Sequence, residues 1–158
     1  MSRTLKIGLV TLLALFVVRF FVAEPVMTNG ESMSPTFHDG DALVVDHVTY
    51  RFRDPRIGEI VVATTPDTGA QVVKRVVALA GDTIGIEDGV LVRNGARVDE
   101  PFADQSQMGG HFWGPITVPD GHVFLLGDNR LTSVDSRRYG PVSLDDVEGR
   151  SMGRIWPW

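Results

Sequence analysis

The 158-residue chain contains no cysteine, which excludes a disulfide framework, a thiolate-bound zinc or iron–sulfur centre, and a cysteine nucleophile. Lysine is scarce as well: Lys6 and Lys74 stand against thirteen arginines. No acidic residue occurs in the first 23 positions, which carry Arg3, Lys6 and Arg19. Setting those three aside leaves 12 Lys and Arg in residues 24–158, against all 20 Asp and Glu of the chain. A segment that acidic repels phosphate backbones, so nucleic acid is excluded as a partner. Beyond the first segment there is no internal repeat, no low-complexity tract and no sustained 3.6-residue apolar period, which argues against a helical bundle.

What is present is a folding composition, 43% hydrophobic and 22% charged, of a length that fits one domain with a short appendage. Seventeen glycines and nine prolines imply many turns and a β-rich domain. Residues 5–23 are apolar except at Lys6, Gly8, Thr11 and Arg19. As a helix they would be about 28 Å long, close to the ~30 Å hydrocarbon core of a bilayer. Lys6 and Arg19 fall near the two ends, where long side chains reach the headgroups. Arg3 and Lys6 precede the segment, and from Phe20 to Tyr50 there is no Lys or Arg. The excess of positive charge then places the N-terminus in the cytoplasm and the rest of the chain outside. A cleavable leader is the competing reading, but cutting after Ala23 would put the bulky Phe21 where a small residue is required. The expected organisation is a cytoplasmic tip and transmembrane anchor over 1–23, followed by an extracytoplasmic domain over 24–158.

In that second part, short β-type runs alternate with turns: 42–47, 59–64, 71–79, 83–87, 90–93, 116–118 and 122–126. Asp88-Gly89 separates two of them and Asn94-Gly95 closes the next, as hairpin turns do. The expected fold is mainly β and antiparallel. Lys74, the single lysine after the first segment, lies in the run 71–79 with Val72 and Val76 on its own face. Burial there disfavours the ammonium and makes the amine a candidate general base. By itself such a lysine is more often a snorkelling or ion-paired one. A base requires a nucleophile, and the candidate is Ser32 in Asn-Gly-Glu-Ser-Met-Ser-Pro-Thr, 29–36. An isolated loop serine is usually ordinary, and the Gly-x-Ser-x-Gly elbow is absent because Ser34 replaces its second glycine. A third segment, 127–140, packs hydroxyls, carboxylates and guanidiniums together, which alone reads as a solvated loop with internal ion pairs.

Together the three segments say more. Ser-Met-x-Pro-Thr (32–36), then Lys-Arg-Val-Val (74–77) followed by Gly-Asp (81–82), then Gly-Asp-Asn-Arg-x-x-Ser-x-Asp-Ser-Arg (127–137) come in that order. This pattern, with Gly58 to Val62, Gly149-Arg150 and the Glu24-Pro25 that follows the anchor, resembles bacterial type I signal peptidase over nearly the whole chain. The resemblance implies a membrane-bound serine endopeptidase that cleaves signal peptides from exported preproteins after small residues. Ser32 would be the nucleophile and neutral Lys74 its general base. Ser133 would be a second hydroxyl bonded to the lysine, with Asp128, Asp135 and Arg137 holding the scaffold. Val26, Thr28, Met33, Phe37, Val72 and Val73 match the segments that line the substrate pockets. No metal or cofactor is implied. Implied partners are preproteins, the bilayer and the nearby export translocon, and the implied place is the outer side of a bacterial cytoplasmic membrane. In some members a serine hydroxyl two residues before the nucleophile helps to bind the oxyanion. Gly30 stands there in this chain, which leaves the Ser32 N–H, with a neighbouring amide as the candidate second donor.

Two other readings remain at this level. One keeps the Ser–Lys chemistry but restricts it to a dedicated maturation substrate, and the other is a non-catalytic tethered β-domain. His38, His47, His111 and His122 lack metal-ligand spacing and read as surface or core residues. The aromatics Phe102, Phe112, Trp113, Trp156 and Trp158, with Met108, read equally as packing or as membrane-interface groups.

Overall fold

In a computed structural model the described residues are 3–17, 23–103 and 109–156. Helix α1 runs over Arg3–Val17, with Leu5, Ile7, Leu9, Val10 and Leu12 all exposed. Among the described residues no helix is long and apolar enough to cross a membrane. The expected span 5–23 is therefore described as helix only to Val17, and residues 18–22 lie outside the described residues. At its end the expectation is corrected: Ala23 already belongs to strand β1, Ala23–Met27, paired with Asp46. Pro25 fits that strand because β1 is an edge, where a missing N–H costs no ladder bond on the open side.

The strands that follow are β2 Ala42–Asp46, β3 Ile60–Thr64, β4 Gln71–Leu79, β5 Thr83–Glu87, β6 Val90–Arg93 and β7 Ala96–Arg97. After them come β8 Trp113–Thr117, β9 His122–Leu126, the one-turn helix α2 Ser136–Tyr139, β10 Val142–Ser143 and β11 Val147–Trp156. Seven strands form one sheet in the order β1-β2-β11-β3-β4-β9-β10, and four form a second in the order β7-β6-β5-β8. The paired registers are antiparallel throughout, as the sequence predicts. The 88–89 and 94–95 turns carry positive φ at both residues (52° and 78°, then 53° and 76° for Asn94 and Gly95), the geometry that suits tight hairpins.

Strand β11 was not foreseen. Its glycines, arginines and methionine give no apolar alternation, yet it is inserted between β2 and β3 and paired on both sides. Gly149 makes this possible: a Cβ there would lie 2.7 Å from Val45 Cγ1 and 2.8 Å from the Asp46 carbonyl. The core has two main parts. Val77, Ile84, Ile86, Leu91, Phe124 and Leu126 fill the space between the sheets, and Val61, Val76, Val123, Leu125 and Val142 pack on the other face of the larger one. Strand β4 contributes to both parts, and its run of buried residues at 74–78 is why it reads as apolar on both faces.

Candidate active site

Ser32 sits in the loop that joins β1 to β2. Two backbone bonds, from Thr28 N to Asp41 O (2.8 Å) and from Gly40 N to Thr28 O (2.9 Å), extend the hairpin ladder to the loop's base. Gly30 takes φ +82°, and its N–H donates to Asp39 Oδ1 at 2.7 Å. Beyond Ser32, Met33 and Phe37 plug the loop into a small cluster with Leu43, against Ile60 and Val73. Apolar burial of the flanks thus fixes a polar residue at the loop's tip. No hydrogen bond within the described residues uses the Ser32 N–H, so that donor is free to bind an oxyanion, whereas the Gly30 amide is already engaged.

Lys74 reaches this loop from β4. Its Nζ lies 2.7 Å from Ser32 Oγ and 3.1 Å from the Val73 carbonyl, and the residue is 4% exposed. Among the described residues it forms no ion pair. Burial lowers its pKa from 10.5 to about 8, while the charges of Asp135 and Asp128 pull it back up. An ammonium in this position donates to the serine hydroxyl. Once neutral, the amine presents its lone pair to the same hydroxyl and can take its proton.

The carboxylates of the 127–137 segment hold this pair in place. Asp128, fully buried, accepts from Arg75 Nε at 2.8 Å and Nη2 at 2.6 Å, and from Thr36 Oγ1 at 2.5 Å. Arg75 follows Lys74 and Thr36 lies four residues after Ser32, so a single carboxylate clamps both reacting segments. Removing one partner would strand a buried charge, at a cost of about 3–5 kcal/mol. Asp135 accepts from Arg137 Nε and Nη2, both at 2.8 Å, and from Gly127 N at 3.1 Å. It also caps α2. Gly127 admits no side chain: a Cβ would lie 2.2 Å from Ser133 Oγ and 2.4 Å from the Ser32 carbonyl oxygen. That carbonyl in turn accepts from Asn129 N at 3.1 Å. Arg130 is buried and joins the Gly127 carbonyl (2.9 Å) to the carboxylate of Glu100 (2.8 Å from Nη2).

Two expectations need correction. Ser133 does lie beside the reacting groups, but its Oγ is buried without a hydrogen-bond partner among the described residues; Lys74 bonds its own strand's carbonyl instead. Phe37 does not line the cavity that holds Ser32 and Lys74. It is 6% exposed and packs with Met33 and Leu43, because its side chain anchors the Ser32 loop. The other five expected pocket residues, Val26, Thr28, Met33, Val72 and Val73, line a cavity of about 240 Å³ together with Ser32 and Lys74. Thr28 Oγ1 is already committed to the His38 carbonyl, so its polar end serves the loop. Arg75, Thr36 and Gly127 carry clamping contacts that sequence reasoning did not assign. Their signal was only adjacency, since all three sit inside the motifs already singled out.

Of the aromatics, Trp113 packs on Phe124 with ring centroids 5.2 Å apart, and the Arg75 guanidinium lies over the Phe102 ring. Phe112 and Trp156 are exposed, and Met108 and Trp158 lie outside the described residues.

The cleft has an open backbone on two sides. β1 is an edge strand. Residues 71–74 of β4 pair with β3, but the pairing of β4 with β9 begins only at Arg75. The end of β1 and this half-paired stretch of β4 both line the cavity.

Comparison with known proteins gives the same answer as the geometry. The chain is 36% identical over 164 residues to a probable signal peptidase I-1 of Synechocystis sp., covering 99% of this chain and 83% of that protein. It is 35% identical over 163 residues to signal peptidase I T of Bacillus subtilis, covering 97% and 84%. A crystal structure of a signal peptidase I from Enterococcus faecalis superposes with a TM-score of 0.54 at 30% identity, covering 62% of this chain and 97% of that one. The family described as signal peptidase, peptidase S26, matches residues 1–156. The pair of Ser32 with buried Lys74 thus stands on a fold and in a sequence shared with serine peptidases, and the chain belongs to the S26 signal peptidase family.

Proposed function

We propose that the protein is a membrane-anchored serine endopeptidase that removes N-terminal signal peptides from exported preproteins after small residues. The observation that carries this reading is the 2.7 Å contact of Ser32 Oγ with a buried lysine amine, set between two strand edges open to an extended peptide. A peptide entering the cleft adds a strand to β1 and to residues 71–74 of β4, so backbone pairing supplies affinity without reading side chains. Selection then falls to the shallow apolar walls formed by Val26, Met33, Val72 and Val73, which leave room for alanine-sized residues. Neutral Lys74 takes the Ser32 proton as Oγ attacks the scissile carbonyl. The Ser32 N–H faces the resulting oxyanion, and Lys74 returns the proton to the leaving amine. Water activated by the same amine hydrolyses the acyl-enzyme. In this scheme the Ser133 hydroxyl, unbonded at rest, receives a hydrogen bond from Lys74 during turnover, and Asp128, Asp135 and Arg137 keep the loop in register.

We assign the segment from Leu5 up to the start of β1 at Ala23 to the anchor, with the N-terminus cytoplasmic and the catalytic part outside a bacterial cytoplasmic membrane, near the export translocon. The exposed leucines and isoleucine of α1 and the charge asymmetry around it support this assignment. The test uses the full chain in detergent with a preprotein bearing alanine one and three positions before the cut, its products read by mass spectrometry. A single cut after the second alanine is expected, absent in Ser32→Ala and Lys74→Ala. No cut by wild type on several preproteins would refute the function, and a cut surviving Lys74→Ala would refute the base.

A further inference from the structure

The substrate cleft holds the residues that precede the scissile bond, and the chain that follows must leave by another route. A second cavity of about 290 Å³ shares no lining residue with the first and is walled by Ser133, Asp135, Arg137, Arg138, Leu131 and Phe112. Ser32, on the wall of the first cavity, and Ser133, on the wall of the second, both crowd Gly127, where a Cβ would lie 2.4 Å from the Ser32 carbonyl oxygen and 2.2 Å from Ser133 Oγ. A peptide whose scissile carbonyl is at Ser32 Oγ can therefore run next past Ser133. At ~3.3 Å per extended residue, two or three residues beyond the cut lie within this second cavity.

Its charge is one-sided. Asp135 is buried and neutralised by two bonds from Arg137. Arg138, on α2, is exposed, and its guanidinium makes no ion pair or hydrogen bond among the described residues. Around it Leu131 and Phe112 expose apolar surface. An unspent cation stands over an apolar floor, on a chain whose net charge is −5.

We propose that this cavity receives the first residues downstream of the scissile bond, and that Arg138 selects an acidic side chain there over a basic one. The proposal rests on the endopeptidase reading above and extends it to the start of the mature protein. An ion pair at a solvent-accessible rim is worth only a modest factor and is screened by salt.

The test uses substrates identical up to the cut and carrying Asp, Ala or Lys at the first, second or third position after it. The readout is the ratio of kcat/KM for the Asp and Lys substrates, taken within each protein so that any overall loss of activity cancels. In wild type at low salt the ratio at one of the three positions is expected to be about fivefold, the size of an exposed ion pair, and to fall toward one in 1 M salt. Arg138→Ala brings it near one and Arg138→Glu inverts it. A wild-type ratio near one at all three positions, or a ratio unchanged in Arg138→Glu, overturns the proposal while leaving the peptidase reading intact. Failure of wild type to cut any of these substrates overturns the peptidase reading, and the proposal with it.

Discussion

Raising the pH across 8 should switch this enzyme on, and the structure sets the size of the effect. Lys74 is drawn down from 10.5 to about 8 chiefly by burial. At pH 7 about 10% of the amine is then neutral, compared with roughly 0.03% for an unperturbed lysine, a gain of about 300-fold in available base. The kcat/KM for a peptide substrate, which reports the free enzyme, should rise about tenfold from pH 7 to 9, with a midpoint near 8. The same shift has a stability counterpart of definite sign. Below pH 8 both folded and unfolded states hold the proton and the folded state carries the buried charge. Between 8 and 10.5 the unfolded chain binds more protons, so stability rises with pH over that window. Lys74→Met, which removes the charge, should therefore be more stable than wild type by about 2–3 kcal/mol at pH 7, with the advantage shrinking towards pH 10.5. Denaturant titration of both proteins at pH 7 and 10 measures it. An activity midpoint near 10.5 would show that the lysine is not desolvated, and one at 6–7 would point to a histidine. An equal stability difference at both pH values would refute the linkage.

Gly127→Ala should be the most damaging single-methyl change in the catalytic loop. With Ser133 Oγ and the Ser32 carbonyl oxygen 2.2 and 2.4 Å from the new carbon, these groups must part by roughly 1 Å, enough to cost about 100-fold in kcat and about 1–3 kcal/mol in stability. Kinetics with a melting curve check this, and near-wild-type turnover would refute the packing argument. Phe37→Ala should cost about 3–5 kcal/mol of stability as a core deletion, while leaving the relative cleavage of substrates with Ala or Val before the cut unchanged. A change in that preference would return Phe37 to the substrate cleft.

How much of this was legible in advance can be traced element by element. β4, β5, β6 and β9 are readable because their apolar residues are dense, Asp88-Gly89 marks the turn from β5 to β6 and Asn94-Gly95 marks the end of β6. β1 was hidden because its residues continue an apolar run and include a proline, which only an edge position tolerates. β11 was hidden because its identity as a strand is conferred by β2 and β3 on either side rather than by its own side chains.

The site divides in the same way. The chain by itself determined which residue types are available: with no cysteine and one lysine after the first segment, a Ser–Lys pair was the chemistry that its motifs could support. Only the tertiary structure decided that Ser32 and Lys74 meet, since 42 residues separate them and the contact depends on the Met33 and Phe37 plugs and the Asp128 clamp. It also decided that Phe37 is an anchor and that Ser133 rests unbonded beside Gly127. Side-chain type is local information, whereas burial and distance are set by the whole fold, and here burial is what turns an ordinary lysine into a base.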